Sequence, residues 1–288
     1  MFTKKLILGS AQFGLDYGIN NTEGKPLPTN VYEILLFAGS HGIFILDTAD
    51  AYGDAAHLIG NFNRNHPGLF AINTKFKASN KPLTHQLKQS IEKLNVKKLE
   101  TYFYHDFADF IKFPELLIDL LSLKQQGLIN KIGVSIYDND EFYLAIDSAY
   151  IDVIQFPFNL LDNFSQRGNL ITYAKSKGKE LQGRSVFLQG LFFKSPDIIP
   201  ASLSSLKPYL KIIHSIAKNN QLTLAELALL YALQQNEIDY VLIGVDNLDQ
   251  LKRNINISQK VLDDKIIEEI DEIKVRETEL LYPKNWKI

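Results

Sequence analysis

The sequence predicts a closed (β/α)8 barrel, an α/β fold in which eight parallel strands alternate with helices, with extra helices on the outside. Three observations predict it: eight short apolar runs, segments of helical periodicity between them, and no linker that interrupts the alternation. Strands that are apolar along their whole length are buried on both faces, as in parallel sheets. We therefore expect residues 1–288 to form a single domain.

The eight predicted strands are recognised by their continuous apolar character. In chain order they are LILG at 6–9, IFILD at 43–47, FAINTK at 70–75, TYFYH at 101–105, KIGVS at 131–135, DVIQF at 152–156, LQGRSV at 181–186 and YVLIG at 240–244. Their lengths are those of strands rather than of helices.

Apolar spacing near 3.6 residues predicts helices between these strands. Examples are NVYEILLFAGSHG at 30–42, THQLKQSIEKL at 84–94, FPELLIDLLSLKQQG at 113–127, DEFYLAIDSA at 140–149 and DNLDQLKRNI at 246–255. Asn30 with Glu33, and Thr223 with Glu226, have the spacing of capping boxes that begin a helix. Two further patterns, at 205–218 and 263–273, exceed one helix per strand and predict helices that cover the barrel.

A doubly wound open sheet is the alternative arrangement of such elements. That fold carries a GxGxxG fingerprint between its first strand and first helix. The corresponding segment here, LGSAQFGLDYG at 8–18, lacks the fingerprint. The closed barrel is therefore the favoured prediction.

Composition limits the classes of partner. The chain has 31 basic and 33 acidic residues, a formal charge of −2 and no block of like charges, which argues against binding nucleic acid or a charged membrane surface. No apolar run reaches the length of a membrane span, and the amino terminus does not read as a secretory signal. We expect a cytoplasmic protein with a small-molecule partner, and the sequence leaves its oligomeric state open. The absence of cysteine excludes disulfides and thiolate chemistry.

Ionisable residues end three successive predicted strands. Asp47, Lys75 and His105 close the second, third and fourth, and Tyr52 follows Asp47 in the next loop. In barrels of this kind, polar residues at the carboxyl ends of strands are candidates for catalysis. Each has an ordinary explanation alone: a turn cap for Asp47, a turn for Tyr52, a satisfied histidine for His105. Lys75 is harder to explain structurally, because a lysine that ends an apolar strand is rarely left unpaired.

The motifs LGSAQFG, DTADAYG, TK, YFYHDF, GVS, IQFPFN, SVFLQGLF and IGVDNLDQLKRNI occur in the order and at about the spacing of the aldo-keto reductase family. The chain resembles that family over essentially its whole length, and DTADAYG is the most specific element. The resemblance implies a (β/α)8 oxidoreductase that binds a nicotinamide dinucleotide and reduces a carbonyl group. It assigns Tyr52 as general acid, Lys75 and Asp47 as its activating pair, and His105 as the residue that orients the carbonyl.

Physical chemistry supports these roles. Hydride that reaches a carbonyl carbon leaves negative charge on the oxygen, which needs a positioned proton donor. A phenol has a pKa near 10, and we expect the Lys75 cation to lower the pKa of Tyr52 while Asp47 balances Lys75. His105 would donate a hydrogen bond to the substrate oxygen. Nothing in this chemistry requires a metal ion.

The same resemblance implies a set of cofactor-binding residues: Gly9, Ser10, Asp47, Ser135, Gln155, Arg184, Ser185, Leu188, Gln189, Gly244, Asp246, Gln250 and Asn254. Two positions depart from the family pattern, since Ile136 replaces the usual asparagine and Arg184 an aromatic ring. The resemblance implies NADP(H) as the cofactor. We expect weak discrimination and appreciable use of NAD(H), because Asp246 would repel a 2′-phosphate and accept a hydrogen bond from a free 2′-hydroxyl. Asp246 as a simple helix cap is the alternative.

The predicted substrate site consists of Phe13, Tyr52, His105, Phe107 and Trp286, with Phe158 in the same aromatic wall. Resemblance of the segments GSAQFGLDYGI and RSVFLQGLF to reductases found with bacterial surface-carbohydrate synthesis suggests a keto-sugar. Two other functions stay open at this stage. The barrel could sense a dinucleotide for a partner protein without catalysis, or Lys75 could form a Schiff base as in an aldolase.

Overall fold

Eight parallel strands close into a barrel in which every strand pairs with its neighbours in chain order and β1 pairs with β8. A computed structural model describes residues 2–22 and 24–286; Met1, Glu23, Lys287 and Ile288 lie outside the described residues. The strands are β1 Leu6–Gly9, β2 Ile45–Asp47, β3 Ala71–Phe76, β4 Leu99–Tyr104, β5 Ile129–Ser135, β6 Val153–Pro157, β7 Glu180–Arg184 and β8 Tyr240–Ile243. The predicted fold class is confirmed.

Helices surround the barrel and follow the strands. They are α1 Ala11–Gly14, α2 Pro28–Ser40, α3 Ala55–Asn65, α4 Leu83–Leu94, α5 Phe107–Lys112, α6 Leu116–Gln125, α7 Asn139–Asp147, α8 Phe164–Ser176, α9 Lys207–Asn219, α10 Leu224–Leu233, α11 Leu248–Ile257 and α12 Asp264–Asp271. The two extra helices predicted at 205–218 and 263–273 correspond to α9 and α12 in the structure. Within the described residues, no helix has the length and hydropathy needed to cross a membrane.

One of the two predicted capping boxes forms. Thr223 and Glu226 exchange side-chain and backbone hydrogen bonds at the start of α10. The prediction for Asn30 was wrong, because α2 begins two residues earlier at Pro28 with Leu27 at the cap position. Proline suits the first helical position because its ring fixes φ at a helical value. It also has no N–H, and the N–H groups of the first turn have no partner within the helix, so α2 begins without a polar cap.

The two ends of the barrel differ in chemistry. At the amino end, Lys131 of β5 bridges Glu100 of β4 and Glu180 of β7, with N···O distances of 3.1 and 2.6 Å. At the carboxyl end, the strand register places residues of neighbouring strands side by side. Asp47 pairs with both Gly9 and Asn73, and Ser135 pairs with Gln155. Parallel pairing therefore brings the predicted functional residues to one rim.

Candidate active site

A cavity of about 900 Å³ opens at the carboxyl ends of the strands. Most of the residues predicted for the site line it: Gly9, Ser10, Asp47, Tyr52, Lys75, His105, Ser135, Gln155, Arg184, Ser185, Gln189, Gly244, Asp246, Gln250 and Asn254. The structure thus brings together side chains from loops that are far apart in sequence.

Asp47 and Lys75 form a buried ion pair at the inner end of the cavity, and each side chain is only 2% exposed. Lys75 Nζ also donates to the Thr48 carbonyl at 3.2 Å. The other oxygen of Asp47 accepts from Gln155 Nε2 at 2.9 Å, and Gln155 in turn contacts Gln182 Oε1 at 3.2 Å. Because a buried charge is stable only when it is paired and hydrogen-bonded, this network holds Asp47 and Lys75 in one arrangement.

A pair of glycines positions Tyr52 beside this pair. A Cβ atom at Gly14, where α1 ends, would lie 1.9 Å from the Tyr52 carbonyl oxygen, so only glycine permits the contact. Gly53 has a φ of +49°, and a Cβ there would lie 2.4 Å from the Gly14 oxygen. The resulting turn brings the Tyr52 ring centroid within 5.5 Å of Lys75 Nζ.

The ionisation of Tyr52 differs from the expectation. Burial raises the pKa of the Tyr52 phenol far above its usual value, and the Asp47 carboxylate raises it further, while Arg184 partly opposes them. Burial therefore outweighs the lowering of this pKa that was expected from a nearby cation. Tyr52 therefore carries its proton at neutral pH, which is the form that a proton donor needs.

His105 completes the cluster. It follows β4 directly, its backbone N–H donates to the Phe76 carbonyl at 2.9 Å, and its ring meets that of Tyr52 edge-on with centroids 6.0 Å apart. Burial lowers the pKa of His105 to about 4, and the nearby Lys75 cation adds to the effect. The Nδ1 atom is buried and has no hydrogen-bond partner among the described residues. His105 is thus a neutral imidazole with hydrogen-bonding capacity free.

We predict that His105 stays neutral well below the ordinary range of histidine. The folded protein should bind no proton at His105 until about pH 4, whereas the unfolded chain binds one near pH 6.5, so this residue's contribution to stability is lost as the pH falls from about 6.5 to 4. NMR titration of the ring, assigned by comparison with His105→Gln, measures the midpoint. A midpoint near 6.5 would contradict the buried, cation-facing environment.

Part of the cavity lining has the features of a dinucleotide site. Gly9 and Gly244 belong to it, and a Cβ at Gly244 would lie 2.2 Å from the Gln12 amide, so glycine lets the Gln12 side chain lie close to the backbone there. Ser10 Oγ and Asp246 Oδ1 are buried without a hydrogen-bond partner in the described part of the chain. Buried polar atoms are rarely unsatisfied, so the residues present fit a polar ligand such as a nicotinamide dinucleotide.

Asp246 does not cap α11. Asn247 does so, accepting a hydrogen bond from the Gln250 N–H at 3.0 Å. Asp246 instead pairs with the Gln250 side chain, which accepts from its backbone N–H at 2.8 Å and donates to its Oδ2 at 3.1 Å. Gln250 thus fixes the Asp246 carboxylate with its second oxygen free.

Arg184 lies against an aromatic ring that the sequence did not single out. Its guanidinium is 4.3 Å from the centroid of Tyr137 and donates to the Ile136 carbonyl at 2.9 Å. Lys284 Nζ lies 3.8 Å from the same centroid. Tyr137 therefore carries the contacts that orient Arg184 along the cavity wall.

The loop after β7 is held in an unusual conformation. Ser185, Leu188 and Gln189 have positive φ angles of 60°, 44° and 52° although none is glycine. Such conformations cluster at functional sites, where the surrounding structure enforces them. Ser185 and Gln189 line the cavity, but Leu188 is fully buried in the core and does not.

The predicted aromatic wall does not form. Phe13 is buried in the core, Phe107 packs on Phe110, and Phe158 stacks on Tyr231 with centroids 5.4 Å apart. Trp286 turns back on the carboxyl-terminal segment, where its indole N–H donates to the Leu280 carbonyl at 2.7 Å. These rings are absent from the cavity lining because packing elsewhere buries them.

Several residues that line the cavity were not singled out from the sequence: Gln12, Tyr17, Asn20, Tyr137, Phe187, Phe193 and Lys284. Only Tyr17 carried a usable signal, since it precedes Gly18 in the loop after β1 as Tyr52 precedes Gly53 after β2. Among the residues that the structure describes, no group of three or more His, Asp or Glu side chains is arranged to hold a metal ion.

Fold and site together define a (β/α)8 barrel whose carboxyl rim holds a buried Asp–Lys pair beside a protonated tyrosine and a neutral histidine. The chain belongs to the aldo/keto reductase family, whose model matches residues 5–275.

Named relatives match parts of the chain. It is 30% identical to D-arabinose 1-dehydrogenase of Saccharomyces cerevisiae over 47% of this chain and 43% of the relative. It is 28% identical to L-galactose dehydrogenase of Arabidopsis thaliana over 58% and 54% of the two chains. The chain spans about half the length of these relatives. An aldo-keto reductase structure from Bacillus halodurans, in its holo form, shares the fold, with a TM-score of 0.76, 19% identity and 95% and 94% coverage.

Proposed function

We propose that this protein is an NAD(P)H-dependent oxidoreductase that reduces an aldehyde or ketone to an alcohol. The observation that carries the proposal is the position of a protonated Tyr52 beside the buried Asp47–Lys75 pair and the neutral His105, in a cavity that also contains unsatisfied polar atoms of Ser10 and Asp246. A bound nicotinamide supplies the hydride.

Residues of the chain orient and protonate the carbonyl oxygen. His105 donates a hydrogen bond that orients the oxygen, and Tyr52 gives it a proton as negative charge develops there. The phenolate that remains is stabilised by the Lys75 ammonium, whose orientation Asp47 and Gln155 hold through the contacts described above. Reprotonation of Tyr52 from solvent restores the site.

The site gives no support to the two alternatives. A non-catalytic sensor would not need Tyr52, His105 and the ion pair to converge on one end of the cavity. A lysine that forms a Schiff base must present an unpaired amine, whereas Lys75 Nζ donates hydrogen bonds to both the Asp47 carboxylate and the Thr48 carbonyl. Treatment with borohydride and a carbonyl compound distinguishes the two chemistries, because a covalent adduct at Lys75 would contradict the reductase.

We propose a sugar or keto-sugar as substrate. Support comes from the polar side chains of Tyr17, Asn20 and Gln189 in the cavity lining and from the sugar dehydrogenases among the relatives. The experiment is a panel of aliphatic aldehydes, keto-acids, aldoses and keto-sugars, with consumption of NADPH or NADH followed by absorbance. We expect turnover with the polyhydroxy compounds. Absence of turnover with every carbonyl compound would contradict the proposed function.

We further propose NADP(H) as the cofactor, with weak discrimination against NAD(H). Arg253 on α11 lines the cavity as a cation for a 2′-phosphate, while the Asp246 carboxylate fixed by Gln250 opposes that phosphate. We expect calorimetric titration to show a preference for NADP(H) below about a hundredfold, which corresponds to roughly 2.7 kcal/mol. A larger preference would contradict the role given to Asp246, and Asp246→Asn should increase the preference.

A further inference from the structure

Tyr17 is a cavity phenol that the proposed reaction does not use. Tyr17 lies in the loop after β1 and lines the cavity with Tyr52 and His105. Burial raises the pKa of Tyr17, and the neighbouring Tyr52 raises it further, so the two hydroxyl groups interact electrostatically. Tyr17 therefore lines the same cavity in which a carbonyl bound to Tyr52 and His105 would lie.

The hydroxyl group of Tyr17 has one free hydrogen-bonding role. Its oxygen accepts from Gln189 Nε2 at 3.2 Å. No acceptor for its hydrogen is present among residues 2–22 and 24–286. A phenol can donate and accept at once, and buried polar groups are normally satisfied. With the accepting role taken by the protein, the donating role is left for a ligand oxygen.

The orientation of Tyr17 is fixed by a link across the top of the barrel. Ile19 N–H donates to the Gln189 carbonyl at 3.0 Å, and Asn20 Nδ2 donates to the Gly190 carbonyl at 2.5 Å. The positive φ of Gln189 is held by these contacts, which direct its side chain to Tyr17. A donor that is held before the ligand arrives binds without an ordering cost.

We propose that Tyr17 is a specificity-determining residue that donates a hydrogen bond to a hydroxyl group next to the reacting carbonyl, so that the enzyme selects α-hydroxy aldehydes and ketones. The inference rests on the proposed carbonyl reduction. Tyr52 and His105 engage the carbonyl oxygen, and Tyr17 engages the next oxygen along the carbon chain. A substrate without that oxygen leaves the half-buried Tyr17 donor without a ligand acceptor, which is how a site rejects an analogue that lacks a hydroxyl group.

The test compares 2-hydroxypropanal with propanal, which differ by one hydroxyl group, in the full-length enzyme and in Tyr17→Phe. We expect the parent enzyme to have a kcat/KM at least about tenfold higher for 2-hydroxypropanal. Tyr17→Phe should lose that preference because its kcat/KM for 2-hydroxypropanal falls, while its kcat/KM for propanal stays within about threefold of the parent. Tyr137→Phe removes a different phenol from the same cavity and should keep the preference ratio of the parent.

Dinucleotide affinity and thermal unfolding, measured on the same variants, separate recognition from damage to the loop. An equal loss on both aldehydes, or a parent enzyme without preference between them, would overturn the role of Tyr17 and leave the proposed function intact. Failure of the parent enzyme to reduce any carbonyl compound would overturn the proposed function, and the role of Tyr17 with it.

Discussion

Tyr52→Phe is expected to lower kcat/KM for carbonyl reduction by about a thousandfold, within the range of 10² to 10⁴ typical of general acid catalysis. The variant lacks the proton that the carbonyl oxygen requires, and phenylalanine keeps the ring that packs against His105 and Lys75. Dinucleotide affinity should stay within about twofold, because the substitution removes one hydroxyl group at the substrate end. Steady-state kinetics and fluorescence titration of NADPH measure the two effects.

Tyr104→Phe is the matched control. Tyr104 precedes His105 in the chain, but its hydroxyl group is buried without a partner in the described structure and its ring packs on Phe76 and Phe110, away from the cavity. This control should keep the parent turnover. If Tyr52→Phe retained most of the turnover, another group would have to supply the proton.

Lys75→Met is expected to reduce both stability and activity, because it leaves Asp47 as an uncompensated charge inside the barrel. Removing one partner of a buried pair costs about 3–5 kcal/mol of unfolding free energy. Carbonyl reduction should fall by at least about a hundredfold, since the Lys75 ammonium no longer stabilises the Tyr52 phenolate. Denaturant unfolding and steady-state kinetics measure the two effects.

The double variant Asp47→Asn with Lys75→Met separates the two effects. Replacing the carboxylate by an amide removes the unpaired charge, so most of the lost stability should return. Activity should not return, because the double variant still lacks the Lys75 ammonium beside Tyr52. Full activity in the double variant, or parent stability in Lys75→Met alone, would contradict the proposed role of the pair.

The interaction between Lys75 and Tyr52 is thus different before and after the proton moves. In the resting site the Lys75 charge is balanced by Asp47, and burial keeps the phenol protonated. When Tyr52 loses its proton, the nearby Lys75 ammonium stabilises the phenolate. This attraction is stronger in a site that contains little water than it would be in bulk water. The sequence indicated which groups interact, whereas the sign of the pKa shift of Tyr52 depended on burial.

Local patterns were enough to predict the barrel and its reactive end. Apolar runs reveal strands buried on both faces, and parallel pairing necessarily brings their carboxyl ends together. Asp47, Lys75 and His105 could therefore be assigned to one rim from their places at successive strand ends. The capping box at Thr223 was predictable for the same reason, because both partners lie within one turn of chain.

The tertiary structure alone decided which loop side chains face the cavity. Phe13, Phe107 and Trp286 looked like a substrate wall, but each is packed against neighbours outside the cavity lining. Gln189 donates a hydrogen bond to Tyr17 although the two residues are 172 positions apart in the sequence, and no local spacing encodes that contact. The alternative interpretation of Asp246 as a helix cap is wrong, because Asn247 caps α11. Strand periodicity sets the direction of a strand side chain, whereas a loop side chain points where long-range packing and hydrogen bonds hold it.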